Sequence, residues 1–254
     1  MTNLDFGKTA KDYRLYRQGF PAEFFKRLTL FGIGKQGQRV LDLGTGTGTV
    51  ARGLALEGCE VTGIDPTASL LEQAKLLDQE QGVSIQYELA SAEDTKQATH
   101  NFDVVTAGQC WHWFKAEQAI VEIKRVLKPK AKLVIAHNDW LSDGASVPAL
   151  SKKLIMHYNP QSYFGAKGGF YIDWVAQLSE SGFENIETFS FDYVAEYSHE
   201  GWCGRIRAFG GIAKLEPEQI SQFDKEHMTL LNKQFPDEPL KIAHRCFVIV
   251  ASLK

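Results

Sequence analysis

At 254 residues, with 44% hydrophobic and 23% charged, the chain is long enough to bury a full core and has the composition of an ordinary globular protein. Its formal charge of −3 gives no basic footprint of the kind a nucleic-acid binder carries, and apolar runs such as Cys246 to Ala251 are too short to span a bilayer. Cys59, Cys110, Cys203 and Cys246 form no CxxC pair, so they read as reduced thiols, with Cys59 and Cys246 as small core residues, and no metal site is expected.

The polar segment Met1 to Lys11 has no hydrophobic region of signal-peptide type. Thr9 to Leu30 reads as a helix interrupted near Pro21, with Tyr13, Tyr16, Arg17 and Phe20 on one face at 3.6 residues per turn. A short apolar run, Val40 to Leu43, then breaks into Gly44, Gly46 and Gly48, and Val50 to Leu56 has helix-forming character. That order predicts strand, tight turn, helix. Glycines there let the backbone take positive φ and let a ligand approach amide groups that a Cβ would shield, and one of Thr45, Thr47 or Thr49 is expected to cap the helix. The dinucleotide fingerprint wants glycine or alanine where this chain has Thr49. Asp42, just ahead of the loop, would oppose a pyrophosphate but suit a cationic ligand.

The run VLDLGTGTGTVARGLA resembles the first motif of the class I S-adenosylmethionine-dependent methyltransferases. The resemblance implies a Rossmann-like, doubly wound α/β fold: a seven-stranded sheet, mostly parallel with an antiparallel last strand, carrying helical lid insertions. It also implies that Gly44, Thr45 and Gly46 cradle S-adenosyl-L-methionine, with Asp42 toward its charged amino-acid end. The earlier run Ala10 to Pro21 resembles the lead-in of small-molecule methyltransferases similar to trans-aconitate methyltransferase; by that analogy Tyr13 and Arg17 face the cofactor or the acceptor.

Glu60 to Asp65 reads as a second strand ending in an acid about twenty residues beyond the loop, where a carboxylate accepts hydrogen bonds from both ribose hydroxyls. Nicotinamide enzymes use the same acid, so Asp65 supports adenosine binding without choosing the cofactor. Leu70, Leu71, Ala74 and Leu77 mark an amphipathic helix, and Val83 to Leu89 a third strand. Ser91-Ala92-Glu93-Asp94 resembles the family's adenine-holding loop, which makes Ala92, Glu93 and Asp94 candidate cofactor residues, together with Pro66 after the second strand and Gln109 after the fourth.

Asn101 to Ala107 is the fourth strand. It leads into Gly108-Gln109-Cys110-Trp111-His112-Trp113-Phe114, at the carboxyl end of the strand where an open parallel sheet binds ligands. The segment resembles the family's post-fourth-strand motif, which implies that Trp111, His112 and Trp113 line the acceptor site, and His112 is the side chain there able to accept a proton near neutral pH. Lys115 to Leu127 reads as a helix stopped by Pro129, and Lys132 to Ala136 as the fifth strand, ending in His137-Asn138-Asp139-Trp140. Alternating strands and helices with right-handed crossovers give a parallel sheet.

Regularity is lost from Leu141 to Gly169 apart from a helical stretch near Val147 to Tyr158. A helix over Asp173 to Ser181 and a strand over Ile186 to Tyr193 follow, with Phe189, Phe191 and Tyr193 on one face. A second insertion, about Ser198 to Pro239, precedes the last strand, Lys241 to Ala251. Trp202, Ile206 and Phe209 form the apolar stripe of its first helix, with Arg205 beside the stripe and Arg207 away from it. His199, Trp202 and Arg205 join the acceptor-site candidates, Arg205 as a clamp for a carboxylate. The expected organisation is one domain, with a core over about 36–140, 171–197 and 240–254 and lid elements over about 1–30, 141–170 and 198–239.

Together these readings point to methyl transfer from S-adenosyl-L-methionine to a small-molecule carboxylate or hydroxyl oxygen in the cytoplasm, without nucleic-acid or membrane partners. An NAD(P)-dependent oxidoreductase and a non-catalytic S-adenosylmethionine-binding module are the rival readings.

Overall fold

Apolar runs and amphipathic stretches alternate along the chain, and they fold as strands and helices in turn. The computed structural model describes residues 10–254; the side chains of Ala10, Lys11 and Tyr13 also lie outside the described set. Helices α1 (Ala10–Tyr16) and α2 (Ala22–Leu30) flank the expected break at Pro21. Then come β1 (Arg39–Leu43), α3 (Thr49–Leu56), β2 (Glu60–Asp65), α4 (Ala68–Gln81), β3 (Gln86–Leu89) and β4 (Phe102–Gly108). The chain continues through α5 (Ala116–Val126), β5 (Leu127–Trp140), α6 (Val147–Tyr158), α7 (Ile172–Glu180), β6 (Glu184–Tyr197), α8 (His199–Arg207), α9 (Pro217–Gln234) and β7 (Leu240–Ser252).

The seven strands form one sheet in the order β3-β2-β1-β4-β5-β7-β6, mostly parallel with antiparallel strands at the β7–β6 end. Parallel pairing of β1 with both β2 and β4 puts Val40, Leu41, Asp42 and Leu43 in the middle of the sheet, all four buried. A strand covered on both faces needs such a continuous apolar run, and Asp42 is its exception.

Two boundaries differ from the sequence expectation for identifiable reasons. The fifth strand begins at Leu127, not Lys132, because Leu127 already pairs with Phe102; an irregularity between Phe102 and Val104, with Lys130 at φ 64°, absorbs the extra residues. Pro129 therefore lies within a strand, at a disturbed stretch where a missing N–H does little harm. The expected threonine cap of α3 is absent: the cap is Gly48 at φ 78° with no side-chain hydrogen bond.

Contacts divide the chain into two compact units. One comprises residues 19–138, 170–191 and 246–254, and its core includes Phe24, Leu28, Val40, Val104, Cys246 and Val248. Cys59 belongs to the same cluster, so both thiols are small core residues. The other comprises the described residues up to 18 with 139–169 and 192–245, and is built around Ile155, Trp202, Ile206, Phe223, Leu231 and Ile242. In the second unit α8 packs on α1 and α9, and α6 on α9. Arg207, on the outer side of α8, forms ion pairs with Asp12, Glu200 and Asp224. Among the described residues no helix is long and apolar enough to cross a membrane.

Candidate functional site

The carboxyl ends of β1, β2, β4 and β5 carry most of the residues singled out in the sequence. Gly44 and Gly46 both stand at φ 57° and Gly48 at φ 78°, conformations that cost a residue with a Cβ about 1–2 kcal/mol. The loop is tied across the sheet by Thr45 N–H donating to Ile64 O at 2.9 Å and closed on itself by Gly48 N–H donating to Thr45 O at 2.8 Å. Asp65 sits at the tip of β2, 6% exposed, accepting from Gly46 N at 3.0 Å and from Thr67 N at 2.8 Å. Burial raises its carboxyl above the ordinary range, opposed by those two amides. An ionised carboxylate has about four lone-pair sites, so Asp65 keeps acceptor capacity for further donors.

Asp42 is placed differently from the expectation of a residue facing a ligand. It is 2% exposed, with one oxygen accepting from Thr45 Oγ1 and the other from Thr106 Oγ1, both at 2.6 Å. Its work is to pin the glycine loop to β4. Burial pushes its carboxyl up to about 6, against the pull of the two hydroxyls and the Ala51 amide and with the help of the Asp65 charge. A folded-state pKa above the ordinary one means that the protonated form favours folding, so this contribution is full below about pH 4 and is lost as pH rises through about 6. Unfolding by denaturant at pH 4 and pH 7 should therefore show the wild type losing on the order of 3 kcal/mol relative to Asp42→Asn between those pH values. A constant difference between the two proteins would refute the shift.

The adenine-loop candidates are dispersed in role. Ala92 is buried. Glu93 Oε1 accepts from Lys115 N at 2.8 Å, which commits that carboxylate to the start of α5 instead of to a base. Asp94 is exposed and paired with Lys96, and Pro66 is exposed. Gln109 stands at φ 65°, its backbone N–H donating to Ala136 O at 2.9 Å and its side chain to Asn138 O.

After β4 the chain makes a short 3-10 turn, Trp111–Trp113. Trp111 is 2% exposed and donates from Nε1 to Gln177 at 3.1 Å, so it is packing, not lining. Trp113 is 48% exposed. His112 lies half-buried, its ring 4.8 Å from that of Trp113 and 5.3 Å from that of His137. His137, at the end of β5, is buried with Nδ1 at 2.8 Å from the Tyr171 hydroxyl, and Trp174 stacks on Tyr171 at 4.0 Å. Sequence reasoning named the run His137 to Trp140 without giving it a role and missed Tyr171. The signal available was position alone, since β4 and β5 are neighbours in register at Gly108 and Ala136 and must deliver their next residues to the same place.

The remaining candidates belong to the other unit. Arg205 is 9% exposed, its guanidinium 4.8 Å from the Trp140 ring centre, and its charge and hydrogen bond both act on the buried Tyr197 hydroxyl, as does the charge of Arg17. Trp202 is fully buried and donates to Ser151 Oγ at 2.9 Å, which makes it a core residue instead of a substrate contact. His199 is likewise occupied: Nδ1 lies 2.9 Å from Asn232 Oδ1 and Nε2 2.8 Å from Phe235 O, so both ring nitrogens face oxygens of the chain itself. The Tyr13 side chain lies outside the described residues.

A strand–glycine loop–helix whose loop is held by the acid of the next strand is a cradle for a nucleoside-bearing ligand. Residues 41–135 match the family model of the methyltransferase domain. The matched stretch runs from within β1 into β5 and includes the glycine loop, Asp65 and His112. The chain is 32% identical over 136 residues to an uncharacterized methyltransferase of Mycobacterium tuberculosis (strain H37Rv), a match covering 54% of this chain and 53% of that protein. The match therefore spans about half the length of this curated relative. A solved structure from Anaeromyxobacter dehalogenans, a proposed type II methyltransferase, superposes with a TM-score of 0.69 at 20% identity, over 93% of this chain and 98% of that one. Phosphoethanolamine N-methyltransferase 2 of Haemonchus contortus, solved with phosphomonomethylethanolamine and S-adenosylhomocysteine, superposes with a TM-score of 0.57 at 20% identity, over 97% of this chain and 57% of that one. At such identity these likenesses are of fold.

Proposed function

We propose that this chain transfers a methyl group from S-adenosyl-L-methionine to a small-molecule acceptor. The observation that carries the reading is the glycine loop with Asp65 bonded to Gly46 N–H, standing at the head of β1 and β2 within the segment matched to the methyltransferase domain. The residues fit the cofactor's chemistry. Three left-handed glycines give a loop whose turn carries no side chain at those positions to bar the amino-acid and ribose portion, and Asp65 has acceptor sites left for two ribose hydroxyls. Thr49 in place of the third fingerprint glycine, together with the family match, disfavours a dinucleotide. Asp42, turned away into the sheet, has no part in that choice.

When bound, S-adenosyl-L-methionine supplies the methyl electrophile, so the chain's own task is to align an acceptor with it and keep water out, an effect able to contribute several kcal/mol to the rate. The acceptor atom in this reading is a carboxylate or hydroxyl oxygen, as the resemblance of the Ala10 to Pro21 run to the lead-in of small-molecule methyltransferases suggests. If the acceptor carries a proton, His112 at the carboxyl end of β4, beside His137 and Tyr171, is the base. We place the protein in the cytoplasm, acting without nucleic acid or membrane. Calorimetric titration with S-adenosylmethionine, S-adenosylhomocysteine and NADH in parallel tests the reading. Micromolar binding of the first two is the expected result, and binding of NADH alone would return the loop to the dinucleotide enzymes.

A further inference from the structure

Beneath the glycine loop lies a buried ion pair that the reaction itself does not require. Arg52, one turn into α3, turns its guanidinium back under the loop, where Nη2 donates to Thr47 O at 2.8 Å and Nη1 to Asp78 Oδ1 at 2.6 Å. Nη1 also lies 3.5 Å from Ala74 O. The two side chains are 7% and 6% exposed. Tyr87 of β3 reaches the same place: a Cβ on Gly48 would fall 2.3 Å from the Tyr87 hydroxyl oxygen and 3.1 Å from Arg52 Nη1. Arg52 of α3 and Tyr87 of β3 thus meet at the peptide between Thr47 and Gly48, and α4 anchors Arg52 through Asp78.

A pair of charges taken out of water is seldom a gain in stability over apolar residues of the same volume. What this pair supplies is a fixed carbonyl. Thr47 lies in the middle of a segment with three left-handed glycines, the kind of backbone that loses most freedom on ordering. Alpha-helical capping does not restrain it, because Gly48 offers no side chain. With Thr47 O held, the peptide plane that follows is fixed, Gly48 N–H stays on Thr45 O at 2.8 Å, and Gly46 N–H stays aimed at Asp65. We propose that Arg52, anchored by Asp78, is a positioning residue that presets the glycine loop for its ligand, so that its removal weakens ligand binding beyond any effect on folding. This rests on the reading of the loop as the S-adenosylmethionine cradle.

The test compares wild type, Arg52→Met and Arg52→Met/Asp78→Leu as full chains, by thermal unfolding, calorimetric titration with S-adenosylhomocysteine, and hydrogen exchange at the Gly46 and Gly48 amides. The single variant leaves Asp78 buried without its partner and should unfold at lower temperature. The double variant replaces the pair by apolar groups and should regain the midpoint, while binding S-adenosylhomocysteine about tenfold or more weakly and exchanging both amides faster. Wild-type affinity and exchange in the double variant would overturn the proposal. If the double variant does not regain the midpoint, Arg52→Lys, which keeps a charge opposite Asp78 but lacks the second arm to Thr47 O, gives the same comparison. A wild type that ignores S-adenosylhomocysteine would sink the cofactor reading, and the exchange rates would still decide whether Arg52 holds the loop.

Discussion

Asp65→Ala is expected to lower the affinity for S-adenosylhomocysteine by about a hundredfold or more, while S-adenosylmethionine falls in parallel because both share the ribose. Two separate losses add. The carboxylate is the acceptor for Gly46 N–H and Thr67 N–H; the buried Gly46 amide left without a partner costs about 1–3 kcal/mol, and the half-buried Thr67 amide less. The first of these belongs to the loop, so the cradle loosens before any ligand arrives. The second loss is direct, since in the proposed function the same carboxylate receives the ribose hydroxyls. Calorimetry on Asp65→Ala, with thermal unfolding to show the folded fraction, measures the sum. Asp65→Ala binding within a fewfold of wild type would remove Asp65 from the ligand's contacts and leave it only the backbone of residues 46 and 67 to hold.

How far the sequence carried depends on whether a residue's role is local or set by a partner distant in the chain. The strand limits Glu60–Asp65 and the helix Val147–Tyr158 were legible because apolar periodicity and punctuation lie within the element itself. Alternation along β6 was equally plain, with Phe189, Phe191 and Tyr193 on the inward face. Roles set by long-range partners were not. Asp42 looks like a ligand contact until Thr106, 64 residues away, is seen to take one of its oxygens. His199 looks like a free imidazole until Asn232 and Phe235 arrive from the end of α9. Arg52 on the apolar face of α3 and Asp78 continuing the stripe Leu70, Leu71 and Ala74 of α4 were each a charged residue in an apolar register. Two such anomalies of opposite sign were a signal for a buried pair, readable only by considering both helices at once.

Gly44→Ala is expected to cost several kcal/mol of stability and to abolish S-adenosylhomocysteine binding, through a contact that has nothing to do with the ligand. The sequence reading gives this glycine to the cofactor's approach. The structure adds a nearer reason, for a Cβ there would lie 2.9 Å from the Cys110 Cβ, 3.0 Å from its Sγ and 3.3 Å from the Phe114 ring. Cys110 cannot withdraw freely, because its thiol donates to Leu43 O at 3.1 Å and the next residue begins the turn that carries His112. The methyl would therefore push the glycine loop and the post-β4 turn apart, separating the two pieces of chain that the proposed reaction needs in register. Strain from φ 57° adds about 1–2 kcal/mol on its own. The two parts separate in a second variant: Gly44→Ala/Cys110→Gly removes the nearest atoms in the way but keeps the unfavourable φ. Partial recovery of the unfolding midpoint and of S-adenosylhomocysteine binding relative to Gly44→Ala is the expected result. No recovery would mean that backbone conformation alone, and not the packing of one loop on the other, explains why glycine stands at this position.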